Sequence, residues 1–406
     1  MPFEVPESWV WVKLDELAQY KKGPFGSSLT KAMFVKEGVD TFKVYEQKNA
    51  IQKDSTIGTY YISKEHFERL NAFEVQPNDI IVSCAGTIGE TYILPKDIKR
   101  GVINQALMFV RLYLPIITPF YLIYFDFIIK SSSQQDSKGT AIKNIPPFEI
   151  LKNYLFPLPP LQEQERIIAE VEKWFTLIDN IEDCKRDIQE TIKATKSKIL
   201  DLAIHGKLVP QDPNDESAVE LLKRINPAIK PCDTSHYGNL PKSWCICKLK
   251  DVFDITMGSS PTGDSLNNKH EGIEFHQGKL CFSELYLNKS EIYTDSPTKL
   301  AEKHSILLCV RAPVGVINIT EREICIGRGL CSLKPKNGID FMFAFYALQT
   351  HKNHFEANAT GTTFKAIGGD TIRNEMFALP PYNEQVRIRK KIESLFYELD
   401  LISAEL

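Results

Sequence analysis

One twelve-residue segment of the sequence occurs twice in similar form. Residues 156–167 read FPLPPLQEQERI, and residues 377–388 read FALPPYNEQVRI. Each copy has a Pro-Pro pair, which favours a helix start, and then a Glu-Gln pair that leads into a run with apolar residues every three or four positions. This duplication predicts a module that ends in a helix and is present in two copies.

Four further pairs of segments recur in the same order, at separations of about 220 to 235 residues. VPESW at residues 5–9 matches LPKSW at 240–244, and DIIV at 79–82 matches SILL at 305–308. INQAL at 103–107 matches IGRGL at 326–330, and Gly139-Thr140 matches Gly361-Thr362. Chance similarity of Pro- and Gly-rich loops does not preserve the order of five matches, so we interpret the chain as two diverged copies of one module.

The segments that follow the Pro-Pro pairs have the pattern of a coiled coil. Counting alternately by four and three from residue 167 to residue 202, nine of eleven positions are apolar, and the second copy repeats the pattern from residue 388 to residue 402. This 3.5-residue spacing is typical of a coiled-coil seam. A helix of about 42 residues is about 60 Å long and needs a partner for its apolar face. The simplest partner is the second helix.

The rest of each copy has short Val/Ile/Tyr/Phe-rich runs separated by Gly, Pro, Asn and Asp, which indicates strands and loops with a few helices. We therefore expect an α+β fold: two similar mixed α/β domains separated by long antiparallel coiled-coil helices, with an internal pseudo-two-fold repeat. The expected divisions are a first domain at 1–157, a helix at 158–205, a linker at 206–239 around a short helix at 217–224, a second domain at 240–379 and a second helix at 380–406.

Composition excludes several classes of protein. The chain has 406 residues, 43% of them hydrophobic and 25% charged, which is an ordinary globular balance rather than that of a disordered or fibrous protein. No N-terminal signal pattern and no uninterrupted apolar span are present, and the nine cysteines have irregular spacing. We expect a cytoplasmic protein with reduced cysteines and no membrane contact.

No motif for catalysis is found in the sequence. The two Gly-Lys pairs are each followed by Leu, so neither completes a phosphate-binding P-loop, and Gly327-Arg328-Gly329 lacks the third glycine of a dinucleotide turn. Asn144 is separated by Ile145 from the Pro-Pro-Phe that would complete an aminomethyltransferase motif. The pair His351 and His354 is interpreted as a solvated helix face rather than a metal site. We predict no catalytic residue and no metal ligand.

The pattern favours recognition of DNA instead. Two related modules joined by a helix suit a target with two parts, and polar glycine-containing loops suit contacts to phosphate and bases. Asn104 and Gln105 carry amides suited to adenine, and Arg328 carries a guanidinium suited to guanine. The full set of predicted DNA-binding residues is Lys21, Lys22, Gly23, Ser27, Ser28, Thr87, Asn104, Gln105, Thr140, Lys143, Ser259, Ser260, Thr262, Arg311, Arg328, Thr362 and Lys365. The alternative for each loop is an ordinary turn.

The order of these segments resembles the specificity subunits of type I restriction–modification systems. The resemblance covers essentially the whole chain. It rests on the Pro-x-Ser-Trp entries, the two Leu-Pro-Pro-x-x-Glu-Gln boundaries and the segment ILDLAIHGKLVPQ at 199–211. It implies a non-catalytic subunit that reads a bipartite double-stranded DNA site through two target-recognition domains.

The same resemblance implies the partners. Two methyltransferase subunits are expected along the helices, restriction subunits join them, and S-adenosylmethionine, ATP and Mg²⁺ belong to those partners, with no cofactor in this chain. The second helix lacks the Ala-Ile-x-Gly-Lys-Leu ending of the first. The distal half of the first helix is therefore expected to pair either within this chain or with a partner.

The nearly neutral charge of each module leaves an alternative function open. The net charge is −3, and each module is nearly neutral: residues 1–156 have 18 Lys/Arg against 17 Asp/Glu, and residues 241–379 have 16 against 15. DNA binding therefore needs basic residues gathered on one face, or charge supplied by the partner subunits. The alternative function is a coiled-coil protein-interaction scaffold without DNA specificity.

Overall fold

The structure is a computed structural model, and it describes residues 3–135, 147–229, 231–232, 240–361 and 365–406. The chain divides into two compact units, Met1–Asn180 and Ile181–Leu406. The first unit contains the first module and the beginning of a long helix. The second unit contains the rest of that helix, the second module and the second long helix.

The first unit is built from short strands and a few helices. Its strands are β1 (Val10–Lys13), β2 (Ala18–Lys22), β3 (Phe34–Val35), β4 (Thr41–Tyr45), β5 (Tyr61–Ser63), β6 (Ile80–Ser83), β7 (Thr91–Ile93), β8 (Gly101–Ile103), β9 (Leu107–Leu112) and β10 (Leu155–Leu158). Its helices are α1 (Leu14–Leu17), α2 (Gln47–Ile51), α3 (Lys64–Arg69), α4 (Thr118–Gln135) and α5 (Phe148–Leu151), and α6 (Leu161–Ile204) leaves it.

These strands form two four-stranded sheets and a two-stranded ribbon. One sheet has the order β2-β9-β6-β7 and is antiparallel, the other has the order β3-β5-β4-β8 with β4 and β8 parallel, and β1 pairs with β10. Successive residues of β6 face different cores, because side chains alternate across a strand. Ile80 and Val82 join a cluster that contains Tyr121 and Phe125 of α4, whereas Ile81 faces the second sheet. The continuous apolar run is therefore buried on both faces.

The second unit repeats this plan. Its strands are β11 (Cys245–Lys248), β12 (Phe253–Met257), β13 (Leu266–Asn267), β14 (Ile273–His276), β15 (Tyr293–Thr294), β16 (Leu300–Ala301), β17 (Ser305–Cys309), β18 (Ile317–Thr320), β19 (Ile324–Ile326), β20 (Leu330–Pro335) and β21 (Met376–Leu379). Its other helices are α7 (Ala218–Ile225), α8 (Leu249–Val252), α9 (Phe341–Gln349), α10 (Lys352–Ala357), α11 (Gly369–Asn374) and α12 (Tyr382–Ala404).

The sheet orders of the second unit correspond to those of the first. The order β12-β20-β17-β18 matches β2-β9-β6-β7, β14 and β19 pair in parallel as β4 and β8 do, and β11 pairs with β21 as β1 pairs with β10. A β13-β15-β14-β19-β16 sheet replaces the smaller sheet of the first module. The α+β fold with an internal repeat is confirmed.

The two long helices pack antiparallel within the second unit. Ile199, Leu200 and Ala203 of α6 share one apolar cluster with Ile388 and Ile392 of α12. The ion pair between Lys196 and Asp400 and the hydrogen bond from Lys185 Nζ to the Leu406 carbonyl run along the same contact. The distal part of the first helix therefore pairs within this chain.

The extent of the predicted seam was wrong. Only its C-terminal positions are buried: Ile192 and Ile199 are each 8% exposed, whereas Trp174 is 57% exposed and Ile181 is 67% exposed. The reason is length, since α6 has 44 residues and α12 has 23. About half of the apolar stripe lies beyond the reach of the shorter helix.

The segment that follows α6 is attached to the start of α12. The Gln211 amide nitrogen donates to Glu384 Oε1 at 2.5 Å, and Arg387 pairs with Asp215 at 2.6 Å. Glu384 is fully buried, and burial raises the pKa of its carboxyl despite the hydrogen bond from Gln211. The predicted linker therefore includes residues that are fixed against the second module.

Candidate nucleic-acid interface

In the second module the loop at 258–262 lies directly against the turn that contains Arg328. The Gly258 amide donates to the Leu330 carbonyl at 2.9 Å, and a Cβ at Gly258 would lie 2.1 Å from the Gly327 carbonyl oxygen. Only glycine permits this approach. The Arg328 amide donates to Ser260 Oγ at 3.4 Å. The structure thus brings Ser259 and Ser260 beside Arg328.

A second loop, at 311–313, joins the same region. The Val310 amide donates to the Gly329 carbonyl at 2.9 Å, and the Ala312 amide donates to the Lys365 carbonyl at 3.2 Å. Arg311 therefore lies between the Arg328 turn and Lys365. Thr262 is exposed at the end of the 258–262 loop, where its carbonyl accepts a hydrogen bond from Ser265. We call the residues 258–262, 277–279, 311–313, 327–329 and 365 the second loop face.

The cations of the second loop face are available for an external anion. Arg311, Arg328 and Lys365 are exposed, and none of them is in an ion pair in the parts of the chain that the structure describes. Elsewhere in this unit arginines are paired, as Arg322 is with Glu274 and Arg389 with Asp340. An unpaired cluster of cations produces a local positive potential that the overall composition conceals.

The first module has the equivalent arrangement. The Gly23 amide donates to the Leu107 carbonyl at 2.9 Å, and a Cβ at Gly23 would lie 1.8 Å from the Asn104 carbonyl oxygen. Lys22, Ser27 and Ser28 are exposed in this loop, whereas Lys21 is half-buried with its ammonium 5.1 Å from the centre of the Phe73 ring.

The turn of the first module that contains Asn104 and Gln105 uses part of its hydrogen-bonding capacity within the protein. Asn104 Oδ1 accepts a hydrogen bond from the Ala106 amide at 3.0 Å, which leaves its NH₂ group and the exposed Gln105 for external contacts. Thr87 is exposed, and its carbonyl accepts a hydrogen bond from the Gln47 amide nitrogen at 3.3 Å. We call the residues 22–28, 46–48, 85–89 and 104–106 the first loop face. The predicted contacts Thr140, Lys143 and Thr362 lie outside the described residues.

Sequence reasoning missed Gln47, Gln277 and Lys279. Gln277 and Lys279 follow β14, whose parallel neighbour β19 leads into the Arg328 turn, and the Gly327 amide donates to the His276 carbonyl at 2.8 Å. The carboxyl ends of the two parallel strands therefore meet at one edge. The sequence carries one relevant signal, the Gly278-Lys279 pair, but its position beside Arg328 depends on the sheet order.

Four buried thiols of this protein are poor nucleophiles. Burial raises the pKa of each to about 12 in Cys84, Cys245, Cys309 and Cys331. A thiol with such a pKa stays protonated at neutral pH, and the thiolate is the nucleophile. Among the described residues no group of three or more His, Cys, Asp or Glu side chains is placed to hold a metal ion.

His351, which precedes α10, and His354, which lies in α10, both have partners within the protein. His354 Nδ1 lies 2.8 Å from Glu375 Oε1, and His351 Nε2 lies 3.0 Å from the Met376 carbonyl oxygen. The interpretation as a solvated face was wrong for His351, because α9 and α10 fold back toward β21.

In the described parts of the chain, no helix is both long and apolar enough to cross a membrane.

Comparison with known protein families identifies the family of the chain that carries these two loop faces. The family model described as the type I restriction modification DNA specificity domain matches residues 6–193 and 241–406, which contain both modules and both loop faces. The chain belongs to this family. It is therefore the DNA specificity subunit of a type I restriction–modification system, with two target-recognition domains and no catalytic role of its own. The identification made from the sequence is confirmed, and the scaffold without DNA specificity is excluded.

Individual relatives are similar to this chain over most of their length. The putative type I restriction enzyme MjaX specificity subunit of Methanocaldococcus jannaschii is 28% identical, with 97% of this chain and 88% of the relative covered. The EcoEI specificity subunit of Escherichia coli is 23% identical, with 100% of this chain and 80% of the relative covered.

Two solved structures have the same fold as this specificity subunit. The HsdS subunit from Thermoanaerobacter tengcongensis gives a TM-score of 0.56 at 22% identity, with 100% and 93% of the two chains covered. A chain from a structure on complex assembly and conformational transition of the type I R-M system gives a TM-score of 0.66 at 24% identity, with 100% and 94% covered.

Proposed function

We propose that each target-recognition domain of this specificity subunit reads one half of a bipartite DNA site through its loop face. The observation that carries the proposal is the duplication of that face. Gly23 and Gly258 make equivalent hydrogen bonds, and both bring a polar loop against the turn that holds Asn104 or Arg328. Two equivalent faces with different side chains suit two half-sites with different sequences.

The charge distribution supports a division of roles within each face. Lysines and serines of the outer loops suit phosphate, which positions the domain without reading sequence. Gln105 and Arg328 have the side chains that recognise base edges in the major groove. Because each module is nearly neutral overall, we assign much of the salt-dependent affinity to the partner subunits of the complex.

Exchange of one domain tests this proposal. Residues 1–157 are replaced by the corresponding domain of a relative, and the methylated sequences are determined in cells that carry the complete system. The expected result is a change in one half of the methylated target, with the other half unchanged. Replacement of residues 240–379 should change the opposite half. A change in both halves, or in neither, would overturn the proposal.

We also propose that methyltransferase subunits bind along α6. The support is a row of exposed apolar side chains along this helix, namely Trp174, Phe175, Leu177, Ile178, Ile181 and Ile188. Exposed apolar surface of this extent marks an interaction site, since monomeric proteins rarely leave such rows in water. Restriction subunits, together with S-adenosylmethionine, ATP and Mg²⁺, are assigned to the assembled complex rather than to this chain.

Substitution of Trp174 tests the helix surface. Trp174→Ala should weaken association with the methyltransferase subunit by about 2 kcal/mol or more, as expected of a buried aromatic anchor at an interface. The stability of the free chain should not change, because the side chain is 57% exposed. Glu172→Ala, also exposed on α6, is the matched control. Equal association of Trp174→Ala and the wild type, measured by calorimetry, would contradict this assignment.

A further inference from the structure

The second loop face contains a cavity. Its volume is about 220 Å³, and it opens between the ends of β14 and β17. Its lining residues are Gln277, Gly278, Lys279, Cys309, Arg311, Ala312, Pro313 and Gly329. Two of these residues are glycines, and a Cβ at Gly329 would lie 2.1 Å from the Gln277 carbonyl oxygen, so the two walls approach closely at the base.

The equivalent space in the first module is occupied by a side chain. The parallel pairs Tyr45↔Ile103 and His276↔Ile326 place the two copies in register, so that Gly278 corresponds to Gln47. The Gln47 amide nitrogen donates hydrogen bonds to the carbonyl oxygens of Ala85 and Thr87. A side-chain amide thus spans the gap between the two loops in the first module.

The second module differs from the first at both walls of this gap. Gly278 replaces Gln47 and removes the filling side chain, and Arg311 replaces Ala85 and adds a guanidinium. Ala85 and Thr87 of the first module, whose carbonyls accept from Gln47, correspond to the cavity-lining Arg311 and Pro313. Lys279 supplies a second exposed cation, and the Cys309 thiol at the wall is uncharged because burial raises its pKa to about 12.

The hydrogen-bond donors and acceptors that line this cavity match the major-groove edge of a G·C pair better than that of an A·T pair. In the major groove a G·C pair presents two adjacent acceptors, guanine N7 and O6, followed by the N4 amino donor of cytosine. Arginine is the common partner of the two guanine acceptors, and lysine can take the same role. The loop carbonyls are suited to accept from an amino group, as they do from the Gln47 amide in the first module. An A·T pair offers only one acceptor before its amino donor.

We propose that this cavity reads a G·C base pair in the second half-site, with Arg311 and Lys279 donating to guanine and the 311–313 loop accepting from the cytosine amino group. The assignment rests on the proposed function of the second domain and adds the base that it recognises there. The first domain makes no such contact at the equivalent position, because Gln47 occupies the space.

The sharpest test fills the cavity with the side chain that the first module has there. A Cβ at Gly278 meets no atom within 4 Å, and its φ of −166° is extended backbone that any residue adopts, so Gly278→Gln should fold normally. Arg311→Ala removes the guanidinium of an exposed side chain and gives a second, independent variant. Gly38→Gln in the first module is the matched control, because a Cβ there also meets nothing within 4 Å.

The assay uses the full chain assembled with its methyltransferase subunits and selects bound duplexes from a randomised DNA library. The wild type and Gly38→Gln should select the same bipartite site, with guanine fixed at one position of the second half. Gly278→Gln and Arg311→Ala should keep the first half-site and lose preference for that guanine by about 5- to 150-fold. All other positions should remain as selective as in the wild type.

Three outcomes would overturn the assignment while leaving the proposed function in place. The first is an unchanged selected site in both variants. The second is lost preference at a position where the wild type selects an A·T pair. The third is a uniform loss of affinity for all sequences, which would make Arg311 a phosphate contact. A wild-type complex that selects no bipartite site would overturn the proposed function and this assignment together.

Discussion

Acid should destabilise the second target-recognition domain through His276, which lies at the end of β14 just before the cavity. Its side chain is 1% exposed, and its Nε2 has no hydrogen-bond partner among the described residues. Burial lowers the pKa of His276 from 6.5 to about 4, with Glu274 raising it and Arg322 lowering it. Arg322 Nη2 donates a hydrogen bond to the Glu274 carboxylate at 3.0 Å. The negative charge of Glu274 is therefore largely balanced by Arg322 and stabilises a protonated His276 only weakly.

The sign and size of the effect follow from proton linkage. As the pH falls below 6.5, the unfolded chain takes up a proton at this histidine, whereas the folded chain does so only near pH 4. The folded state therefore loses stability across this interval. A tenfold difference in proton affinity corresponds to about 1.4 kcal/mol. The expected loss between pH 7 and pH 4.5 is about 2 kcal/mol.

The assay compares the wild type with His276→Gln, which cannot take up the proton. Urea unfolding is followed by pulsed hydrogen exchange of peptides that cover Ile273–His276 and Ile324–Ile326, so that the readout belongs to the second unit. The free energy of unfolding of the wild type should fall by about 2 kcal/mol more than that of the variant between pH 7 and pH 4.5. A difference between the two proteins that stays constant over this range would show that His276 is not the source of the acid sensitivity.

Four other substitutions have expected outcomes of known direction. Arg328→Ala should relax specificity at one position of the second half-site by about 1–3 kcal/mol, seen as a degenerate base in DNA selection, whereas a uniform loss of affinity would assign Arg328 to phosphate. Arg322→Leu should destabilise the second unit by about 3 kcal/mol, because it leaves the 7%-exposed Glu274 side chain without its ion-pair partner; urea unfolding within 1 kcal/mol of the wild type would contradict this. Ile392→Ala, at a fully buried position, should cost about 2–5 kcal/mol by the same measurement, and Ile402→Ala, 49% exposed, should cost little.

Local patterns in the sequence predicted many of the elements correctly. The run at 80–83 is the strand Ile80–Ser83, the Pro-Pro pairs precede Leu161 and Tyr382, and the short linker helix is found at Ala218–Ile225. These features depend on periodicity, proline and capping residues, which act within a few positions along the chain. The internal repeat is visible in the structure as well, since Gly23 and Gly258 make equivalent hydrogen bonds in the two modules.

Predictions that depended on distant contacts were less accurate. The apolar period of α6 continues along the whole helix, but only tertiary contact with the shorter α12 decides that Ile199 is buried and Ile181 is exposed. Residues 341–357 likewise form two helices, Phe341–Gln349 and Lys352–Ala357, rather than one. A period in sequence specifies a face of a helix, whereas coverage of that face depends on residues far away in the chain.

The same distinction applies to the proposed DNA-binding site. The family, the two modules and the polar loops with Arg328 were predictable from the sequence, because these are repeated or motif-like features. Tertiary contacts alone place Lys279 and Arg311, which are separated by the strands β15, β16 and β17, in the lining of one cavity, and place the Gln47 side chain between the corresponding loops of the first module. These contacts follow from sheet order rather than from local composition, because β14 pairs in parallel with β19, which leads into the Arg328 turn, and the Val310 amide, just after β17, donates to the Gly329 carbonyl of that turn.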